Sequence, residues 1–180
     1  MSHELPSPWA EFLAELDSLL DERIELHCIG GFAVVAGYGR RRGTNDLDYR
    51  TLVPYHRLND LQRMAGPGSA LARKHKVHVQ HTGVESMPES YEERLTEMFP
   101  GRFKNIRLFV PDAYDLALSK LTRNNQRDRE DVEFLARTKH LDPAVLRERY
   151  EKEMIVIGPS SQHDRTLEFW IEAYFEKSQG

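Results

Sequence analysis

Residues 28–50, CIGGFAVVAGYGRRRGTNDLDYR, decide the fold of this chain. The stretch is typical of a buried strand that enters Gly30–Gly31, a short apolar helix that ends at Gly37 or Gly39, and a second strand that begins near Asp46. Glycines at a turn from strand to helix let backbone N–H groups approach an anion, because no side chain stands in the way. We therefore expect an anion-binding turn at this point.

The acidic strand predicts the second half of a site. Asp46 and Asp48 stand two positions apart, so both carboxylates project from one face while Leu47 turns into the core. Two neighbouring carboxylates repel each other unless a cation lies between them, and Mg²⁺ or Mn²⁺ prefers such oxygen ligands. The pattern predicts a metal site that also holds substrate phosphates. The alternative is that both aspartates are exposed polar residues of an edge strand.

Two familiar glycine-loop sites do not fit the stretch. A phosphate-binding P-loop needs Gly-Lys followed by Ser or Thr, which this chain lacks. Gly37, Gly39 and Gly43 miss the dinucleotide-binding spacing by one position and are followed by charged residues instead of a long helix. The metal and triphosphate interpretation is the one that remains.

The rest of the chain mixes strands with helices and then becomes helical. Ser7 as N-cap and Pro8 at the first helical position predict a first amphipathic helix. HRLNDLQRMA, residues 56–65, also has a helical pattern. The strand that enters Gly30 is IELHCIG, and the strand that begins at Asp46 is DLDYRTLV. Two further segments predict strands, KVHVQHT and NIRLFVP, and four predict the helices of the C-terminal third, DAYDLALSKLTRNN, DREDVEFLARTK, DPAVLRERYEKEM and DRTLEFWIEAYFEK.

Together these residues resemble the DNA-polymerase-beta-like nucleotidyltransferase superfamily, in its minimal bacterial branch, which includes toxins of abortive-infection and toxin–antitoxin systems. A Gly-Gly turn, a short helix, an Arg, a Thr and Asp-x-Asp on the next strand form the family pattern. A basic and acidic helical pair follows it. The resemblance covers residues 24–137 and rests on Gly30, Gly31, Arg42, Thr44, Asp46, Asp48, Lys120, Arg123, Arg127, Asp128 and Asp131.

The resemblance implies an α+β (α/β) nucleotidyltransferase fold, a small mixed sheet flanked by helices with a helical C-terminal portion. It places a nucleotidyltransferase-like domain at residues 1–137 and a packed helical extension at 138–180. It also implies Mg²⁺-dependent or Mn²⁺-dependent transfer of a nucleoside monophosphate from a nucleoside triphosphate to an RNA or protein hydroxyl. Its metal residues would be Asp46 and Asp48, and its nucleotide-binding residues Gly30, Gly31, Arg42, Thr44, Lys120, Arg123 and Asp128. Expected partners are tRNA or an antitoxin-like protein.

One position departs from the family pattern. The superfamily supplies a third carboxylate from a later strand, and KVHVQHT offers His78 and Gln80 on the matching face. His78 is therefore our candidate third catalytic residue, as metal ligand or base, while Glu85 lies beyond the strand and is a poor substitute. Two alternatives remain open: a catalytically degenerate fold that binds a nucleotide or a partner protein, and an interaction protein that uses the Trp170 helix.

Simpler interpretations exist for several of these residues. The arginines at 40–42 fit a solvated charge run, in which we expect Arg42 alone to face the pocket. Lys120, Arg123, Asp128 and Asp131 fit ion pairs on a helix surface. A zinc site of His75, His78 and His81 is not expected, since strand geometry sends His78 to the opposite face. The aromatic residues Trp9, Phe169, Trp170 and Tyr174 fit core or interface positions.

Composition restricts the partners. The 25 Lys and Arg against 29 Asp and Glu give a net charge of −4, which argues against broad nucleic-acid coating, so we expect no DNA partner. No apolar run is long enough for a membrane span. The single cysteine, Cys28, excludes an intramolecular disulfide, and we expect a cytoplasmic protein.

Overall fold

The computed structural model describes residues 4–83, 86–158 and 160–176. They form two compact units, Met1–Val84 with Leu95–Val110, and Glu85–Arg94 with Pro111–Gly180. Residues 111–137 therefore group with the C-terminal helices. The domain boundary after residue 137 stays a prediction.

The first unit is a five-stranded sheet with short helices. The short helix α2 (Gly30–Phe32) continues directly as a wider π-helical turn (Ala33–Gly37). The elements of this unit are α1 (Trp9–Leu19), β1 (Ile24–Cys28), α2 (Gly30–Phe32), β2 (Asp46–Val53), a 3₁₀ turn (Tyr55–Arg57), α3 (Leu58–Ala65), α4 (Ala70–His75), β3 (His78–His81), β4 (Thr96–Met98) and β5 (Ile106–Val110).

The strand order is β3-β2-β1-β5-β4. Strand β1 runs antiparallel to β2 and parallel to β5, while β2 and β3 are parallel and β4 and β5 are antiparallel. The register of β1 against β2 shifts between His27 and Cys28, which pair with Thr51 and Tyr49. This bulge leaves an extra residue on β2, as β-bulges do.

The bulge keeps one face of β2 apolar along its whole length. Leu47, Tyr49 and Leu52 are buried, while Asp46 and Asp48 are part-exposed on the opposite face. Helix α1 contributes apolar side chains at helical spacing to the core of the first unit. The fully buried members of this core include Phe12, Leu13, Leu16, Ile24, Leu26, Phe32, Leu47, Tyr49 and Val79.

The second unit is helical, and its helices begin at polar caps. Asn125 and Asp128 form a reciprocal capping box, and Asp142 caps the helix that starts with Pro143. Its elements are a 3₁₀ turn (Tyr91–Arg94), α5 (Ala113–Leu118), α6 (Gln126–Lys139), α7 (Pro143–Glu153), a 3₁₀ turn (Ile155–Ile157) and α8 (Ser161–Trp170), which continues as a π-helical turn (Ile171–Phe175).

A buried ion network ties the segment before β4 to the helices of this unit. Arg94 donates to both oxygens of Asp115, at 2.8 and 2.9 Å, and to Glu153 at 2.7 Å. Arg149 donates to Asp112 at 2.7 Å and to Asp115 at 3.0 Å. Burial is the main influence on the pKa of Asp115, which lies above its ordinary value although both arginines act to lower it.

The predicted fold class is confirmed, because a mixed five-stranded sheet is flanked by helices and a helical portion follows. Two details of the prediction were wrong. Strand β4 was not predicted, and helix α1 is capped by Pro8 one residue later than expected, while the Ser7 hydroxyl donates to Glu11. Within the described ranges, no helix has the length and apolar character needed to span a bilayer.

Candidate functional site

Asp46 and Asp48 lie on the same face of β2, as the spacing predicts. Both side chains are part-exposed, whereas Leu47 and Tyr49 between and after them are fully buried. Tyr49 is fixed by a hydrogen bond from Gln62 Nε2 to its hydroxyl at 2.7 Å. The buried residues hold the strand, so the two carboxylates extend from a strand that β1 and β3 flank on both sides.

Gly30 brings the strand-to-helix turn against the second of these carboxylates. Its φ is +65°, a conformation that glycine adopts without strain, and a Cβ built there would lie 2.7 Å from Asp48 Oδ2. The backbone N–H of Ile29 also donates to the carbonyl of Asp48 at 2.9 Å. Gly30 is thus required by both conformation and space at the Asp48 carboxylate.

Gly31 leaves space for the Arg42 side chain, as Gly30 does for Asp48. A Cβ built on Gly31 would lie 2.5 Å from Arg42 Nη2, so the guanidinium group crosses directly over this glycine. Arg42 Nη1 donates to the carbonyl of Gly43 at 3.1 Å. The expectation that Arg42 faces the pocket and binds the nucleotide stays a prediction.

Thr44 connects the arginine-rich loop to β2. Its hydroxyl donates to the backbone carbonyl of Asp46 at 3.2 Å, and its own carbonyl accepts the indole N–H of Trp9 at 3.2 Å. On the next strand, the N–H of His78 donates to the carbonyl of Asn45 at 3.0 Å. Backbone contacts from three elements therefore define the turn before Asp46.

Strand β3 places two polar side chains beside the aspartates. In the parallel pairing, His78 is the partner of Asp46 and Gln80 is the partner of Asp48. Partners in adjacent strands share a face of the sheet. The structure therefore brings Gly30, Gly31, Arg42, Thr44, Asp46, Asp48 and His78 into one region of the first unit.

This donor set fits a divalent cation through two carboxylates. Mg²⁺ usually takes one or two protein carboxylates and completes its six ligands with water and substrate phosphates. The absence of a Cβ at Gly30 leaves room directly beside Asp48 Oδ2. Across residues 4–83, 86–158 and 160–176, no group of three or more His, Cys, Asp or Glu side chains forms a metal cluster. Glu85 lies outside those residues.

His75 and His81 make contacts other than the pairing of His78 with Asp46. His75 contacts Glu15 at 2.8 Å through Nε2 and packs against the ring of Phe12. The ring of His81 lies 5.4 Å from that of Tyr49, on the buried side of the strand, while His78 pairs with Asp46. His78 and His81 therefore lie on opposite faces of β3, as strand geometry predicts.

In the second unit, Lys120 and its acidic neighbours are buried. Lys120 Nζ lies 3.0 Å from Asp131 Oδ2 and 3.6 Å from Asp128 Oδ1, and all three side chains are at most 2% exposed. Arg123, which is 53% exposed, holds Asp128 through two hydrogen bonds at 2.8 and 2.7 Å. The interpretation of these residues as surface ion pairs was wrong, because three of the four are in the interior.

The partners of Asp128 determine its charge state. Burial, the largest influence, acts to raise the pKa of Asp128, but the Arg123 hydrogen bond, the Lys120 and Arg123 charges and the Asn125 N–H together hold it below its ordinary value. Asp128 is therefore ionised at neutral pH. The Lys120 ammonium is at least partly compensated by carboxylates of its own unit, and Arg127 is exposed.

The two tryptophans are buried, whereas Phe169 is exposed. Trp9 and Trp170 are buried, at 2% and 0% exposure, and each indole N–H donates to an oxygen 3.2 Å away, Thr44 O for Trp9 and Asn124 Oδ1 for Trp170. Phe169 is 54% exposed, and its ring lies 6.0 Å from that of Tyr174. The link from Trp9 to Thr44 had no sequence signal, because the acceptor is a backbone carbonyl 35 residues away.

Cys28 has no chemical role in this region. It is fully buried, and burial, assisted by the Asp48 charge, raises the pKa of its thiol far above the ordinary value. A buried thiol that stays protonated is a poor nucleophile and a poor metal ligand. The interpretation of Cys28 as a small core residue agrees with this burial.

Comparison with known proteins identifies one family. No curated protein matches the chain, and no solved structure matches it. The family model described as a nucleotidyltransferase of unknown function (DUF6036) matches residues 10–179, which include every residue of the candidate site described above. The chain therefore belongs to this nucleotidyltransferase family.

Proposed function

We propose that this chain binds a nucleoside triphosphate with Mg²⁺ or Mn²⁺ and transfers its nucleoside monophosphate to a hydroxyl group. The observation that carries the proposal is the position of Asp46 and Asp48 on one face of β2, with Gly30 packed against the Asp48 carboxylate without a side chain of its own. Membership of a nucleotidyltransferase family supports the same chemistry.

Each residue of the region has a role in this proposal. Asp46 and Asp48 hold the cation, which when bound neutralises phosphate charge and orients the α-phosphate. The backbone N–H groups of Gly30 and Gly31 contact the triphosphate, since neither residue carries a side chain that blocks an anion. Arg42 lies over Gly31 and donates to phosphate oxygens, and Thr44 steadies the turn before Asp46.

The resemblance also assigns Lys120 and Arg123 to the nucleotide, as sources of positive electrostatic potential. Lys120 is paired with Asp131, so its contribution to phosphate binding is reduced by that carboxylate. Arg123 is half-exposed and holds Asp128 through two hydrogen bonds. Asp128 then acts through Arg123 by fixing its guanidinium group.

The reaction forms one bond to phosphorus and breaks another. The oxygen of the acceptor hydroxyl attacks the α-phosphorus, the bond from the α-phosphorus to the bridging oxygen breaks, and pyrophosphate leaves with that electron pair. The acceptor's proton passes to a base, for which His78 is the candidate, because it is the partner of Asp46 in the sheet. Positioning and charge neutralisation supply most of the rate enhancement.

We further propose that the acceptor is an RNA, with tRNA first, or a protein hydroxyl. The resemblance to toxin–antitoxin and abortive-infection nucleotidyltransferases is the support for this choice, and it also suggests an antitoxin-like partner protein. The experiment is incubation of the chain with each α-labelled nucleoside triphosphate, Mg²⁺ or Mn²⁺ and total RNA. Label on one RNA class or on protein supports the proposal, and the absence of any metal-dependent label contradicts it.

A second function is supported by one specific observation. The partners of Asp46 and Asp48 on β3 are His78 and Gln80, where the superfamily resembled supplies a carboxylate. We propose as the alternative that the chain is a degenerate nucleotidyltransferase that binds a nucleotide or a partner protein. Metal-dependent triphosphate binding without label transfer, together with a gain of transfer in His78→Asp, would select this alternative.

A further inference from the structure

Hydrogen bonds from α1 and β3 reach the turn that precedes Asp46. Gly43 and Asn45 are exposed, and Thr44 is only part-buried. The carbonyl of Asn45 accepts from the His78 N–H at 3.0 Å, and the Thr44 hydroxyl donates to the Asp46 carbonyl at 3.2 Å. From helix α1, the indole N–H of Trp9 reaches the Thr44 carbonyl at 3.2 Å. Helix α1 thus reaches this turn through a side-chain hydrogen bond.

The Trp9 indole is itself rigidly placed. It is 2% exposed, and its ring meets those of Phe12 and Phe32 edge to face at centroid distances of 5.5 and 4.9 Å. Edge-to-face aromatic pairs are specific in geometry as well as favourable. The indole therefore has little freedom to follow the turn if the turn moves.

Phe32 connects this aromatic packing to the glycine turn. It is the last residue of α2, the helix that begins with Gly30 and Gly31. The ring of Trp9 therefore packs against the helix that begins with the Gly30–Gly31 turn. Its N–H donates to the turn that precedes Asp46. One side chain, far from both segments in sequence, connects the two halves of the candidate site.

We propose that Trp9 is a positioning residue, which fixes the Thr44–Asp46 turn relative to the Gly30–Gly31 turn so that the Asp46 carboxylate stays where it shares one cation with Asp48. The inference rests on the proposed function for the cation and on the structure alone for the tether. A cation held by two carboxylates requires them at a defined separation, so loss of the tether weakens metal binding without removing a ligand.

The test compares two tryptophan variants of the full chain. Trp9→Phe keeps an aromatic ring and removes the N–H donor. Trp170→Phe is the matched control, because Trp170 is equally buried and its N–H donates over the same 3.2 Å, but to Asn124 in the second unit. We expect both variants to lower the melting temperature by similar amounts.

The first readout needs no metal. Hydrogen exchange of the peptide that covers residues 42–48 is measured in metal-free protein, and we expect faster exchange in Trp9→Phe, but not in Trp170→Phe. Unchanged exchange in Trp9→Phe would overturn the proposal, whatever the chain does with metals.

The second readout is Mn²⁺ affinity, measured from the paramagnetic resonance signal of free Mn²⁺ without nucleotide. Loss of one hydrogen bond corresponds to roughly threefold to tenfold weaker binding, which we expect for Trp9→Phe, against a change below about twofold for Trp170→Phe. Equal Mn²⁺ affinity of Trp9→Phe and wild type would overturn the positioning role. Absence of Mn²⁺ binding in the wild type would instead contradict the proposed function, and the exchange measurement would still decide whether the tether exists.

Discussion

Asp46 and His78 are register partners in the parallel pair of β2 and β3, so an imidazole lies next to the first carboxylate of the Asp-x-Asp strand. Neutral imidazole ligates metals and accepts protons, whereas the amide of Gln80, beside Asp48, accepts no proton at neutral pH. Of the two side chains on β3 that adjoin the aspartates, only His78 is able to replace a catalytic carboxylate.

The first prediction follows from that pairing. His78→Ala should abolish nucleotide transfer if the chain is an active enzyme, while triphosphate affinity changes by less than about threefold, since a base acts mainly in the transition state. The measurement is label transfer beside calorimetric titration with the same triphosphate. Gln80→Ala is the control on the same strand. Full transfer in His78→Ala contradicts the role given to this histidine.

The second prediction concerns the glycine at the carboxylate. Gly30→Ala places a methyl group 2.7 Å from Asp48 Oδ2 at a positive φ, so we expect both backbone strain and a displaced carboxylate. The strain destabilises the fold by about 1 kcal/mol. Triphosphate affinity in the presence of Mg²⁺ should fall at least about tenfold, since a ligand oxygen has moved.

Gly101→Ala separates these two effects. Gly101 also has a positive φ, +77°, but a Cβ there meets nothing within 4 Å. This variant should show the same strain, about 1 kcal/mol in urea unfolding, with unchanged triphosphate binding. If Gly30→Ala binds the Mg²⁺-triphosphate as tightly as Gly101→Ala does, then Gly30 does not adjoin the bound ligand.

The third prediction tests the buried lysine. Lys120→Ala leaves Asp131 and Asp128 in the interior without one of their cations, and we expect a loss of about 3–5 kcal/mol in the free energy of unfolding. Lys120→Met combined with Asp131→Leu removes both members of the closer pair and should recover most of that loss. Chemical denaturation measures both. A loss below about 1 kcal/mol in Lys120→Ala is typical of an exposed ion pair and would contradict this prediction.

The same double variant tests the ligand role of Lys120. If the lysine supplies potential to the phosphates, triphosphate affinity should fall in the double variant while nucleoside affinity is kept, because only the charged part of the ligand is affected. Equal losses for both ligands would indicate that the substitutions disturb packing.

The fourth prediction is a pH dependence set by Asp128. Its pKa in the folded protein lies below the ordinary value, so its contribution to stability is fully present above about pH 4, the unfolded value, and is lost as the pH falls through the folded pKa. Arg123→Gln removes the strongest influence that lowers this pKa. The variant should lose about 1–2 kcal/mol at pH 7, because Arg123 is half-exposed and screened.

The difference between wild type and Arg123→Gln should shrink as the pH falls below about 4, where Asp128 is protonated in the unfolded chain. Arg137→Gln is the matched control, since Arg137 is 57% exposed and pairs with Glu133 one helical turn away at 2.7 Å. That pair is worth roughly 0.3–0.5 kcal/mol. Urea unfolding at pH 7 and pH 3 checks the prediction, and a constant difference between the two pH values contradicts it.

Features with a period or a conformational requirement were predictable from the sequence. The alternation of aspartates with Leu47 and Tyr49 defined the two faces of β2, and Gly30 and Gly31 marked the turn that the structure contains. Strands β1, β2, β3 and β5 were all predicted within a few residues. Strand β4, only Thr96–Met98, is too short to show alternation and forms through its pairing with β5.

Features set by tertiary packing were not predictable. The spacing of Lys120 and Asp131 fits a surface ion pair as well as a buried one, and burial depends on how α5 and α6 pack. The Trp9 tether ends on a backbone carbonyl, which any residue at position 44 supplies. The bulge at His27 and Cys28 has no residue type that marks it.

The central claim is that Asp46 and Asp48 bind a divalent cation together with a nucleoside triphosphate. Calorimetric titration of wild type, Asp46→Asn, Asp48→Asn and the part-exposed control Asp60→Asn with a triphosphate, with and without Mg²⁺, tests it most directly. We predict Mg²⁺-dependent triphosphate binding in wild type and Asp60→Asn, and no such dependence in Asp46→Asn and Asp48→Asn. The melting temperatures of Asp46→Asn and Asp48→Asn in metal-free buffer should equal that of wild type, because removing one charge from a repelling pair costs the apo fold little. Triphosphate affinity that is equally Mg²⁺-dependent in all four proteins would contradict the account.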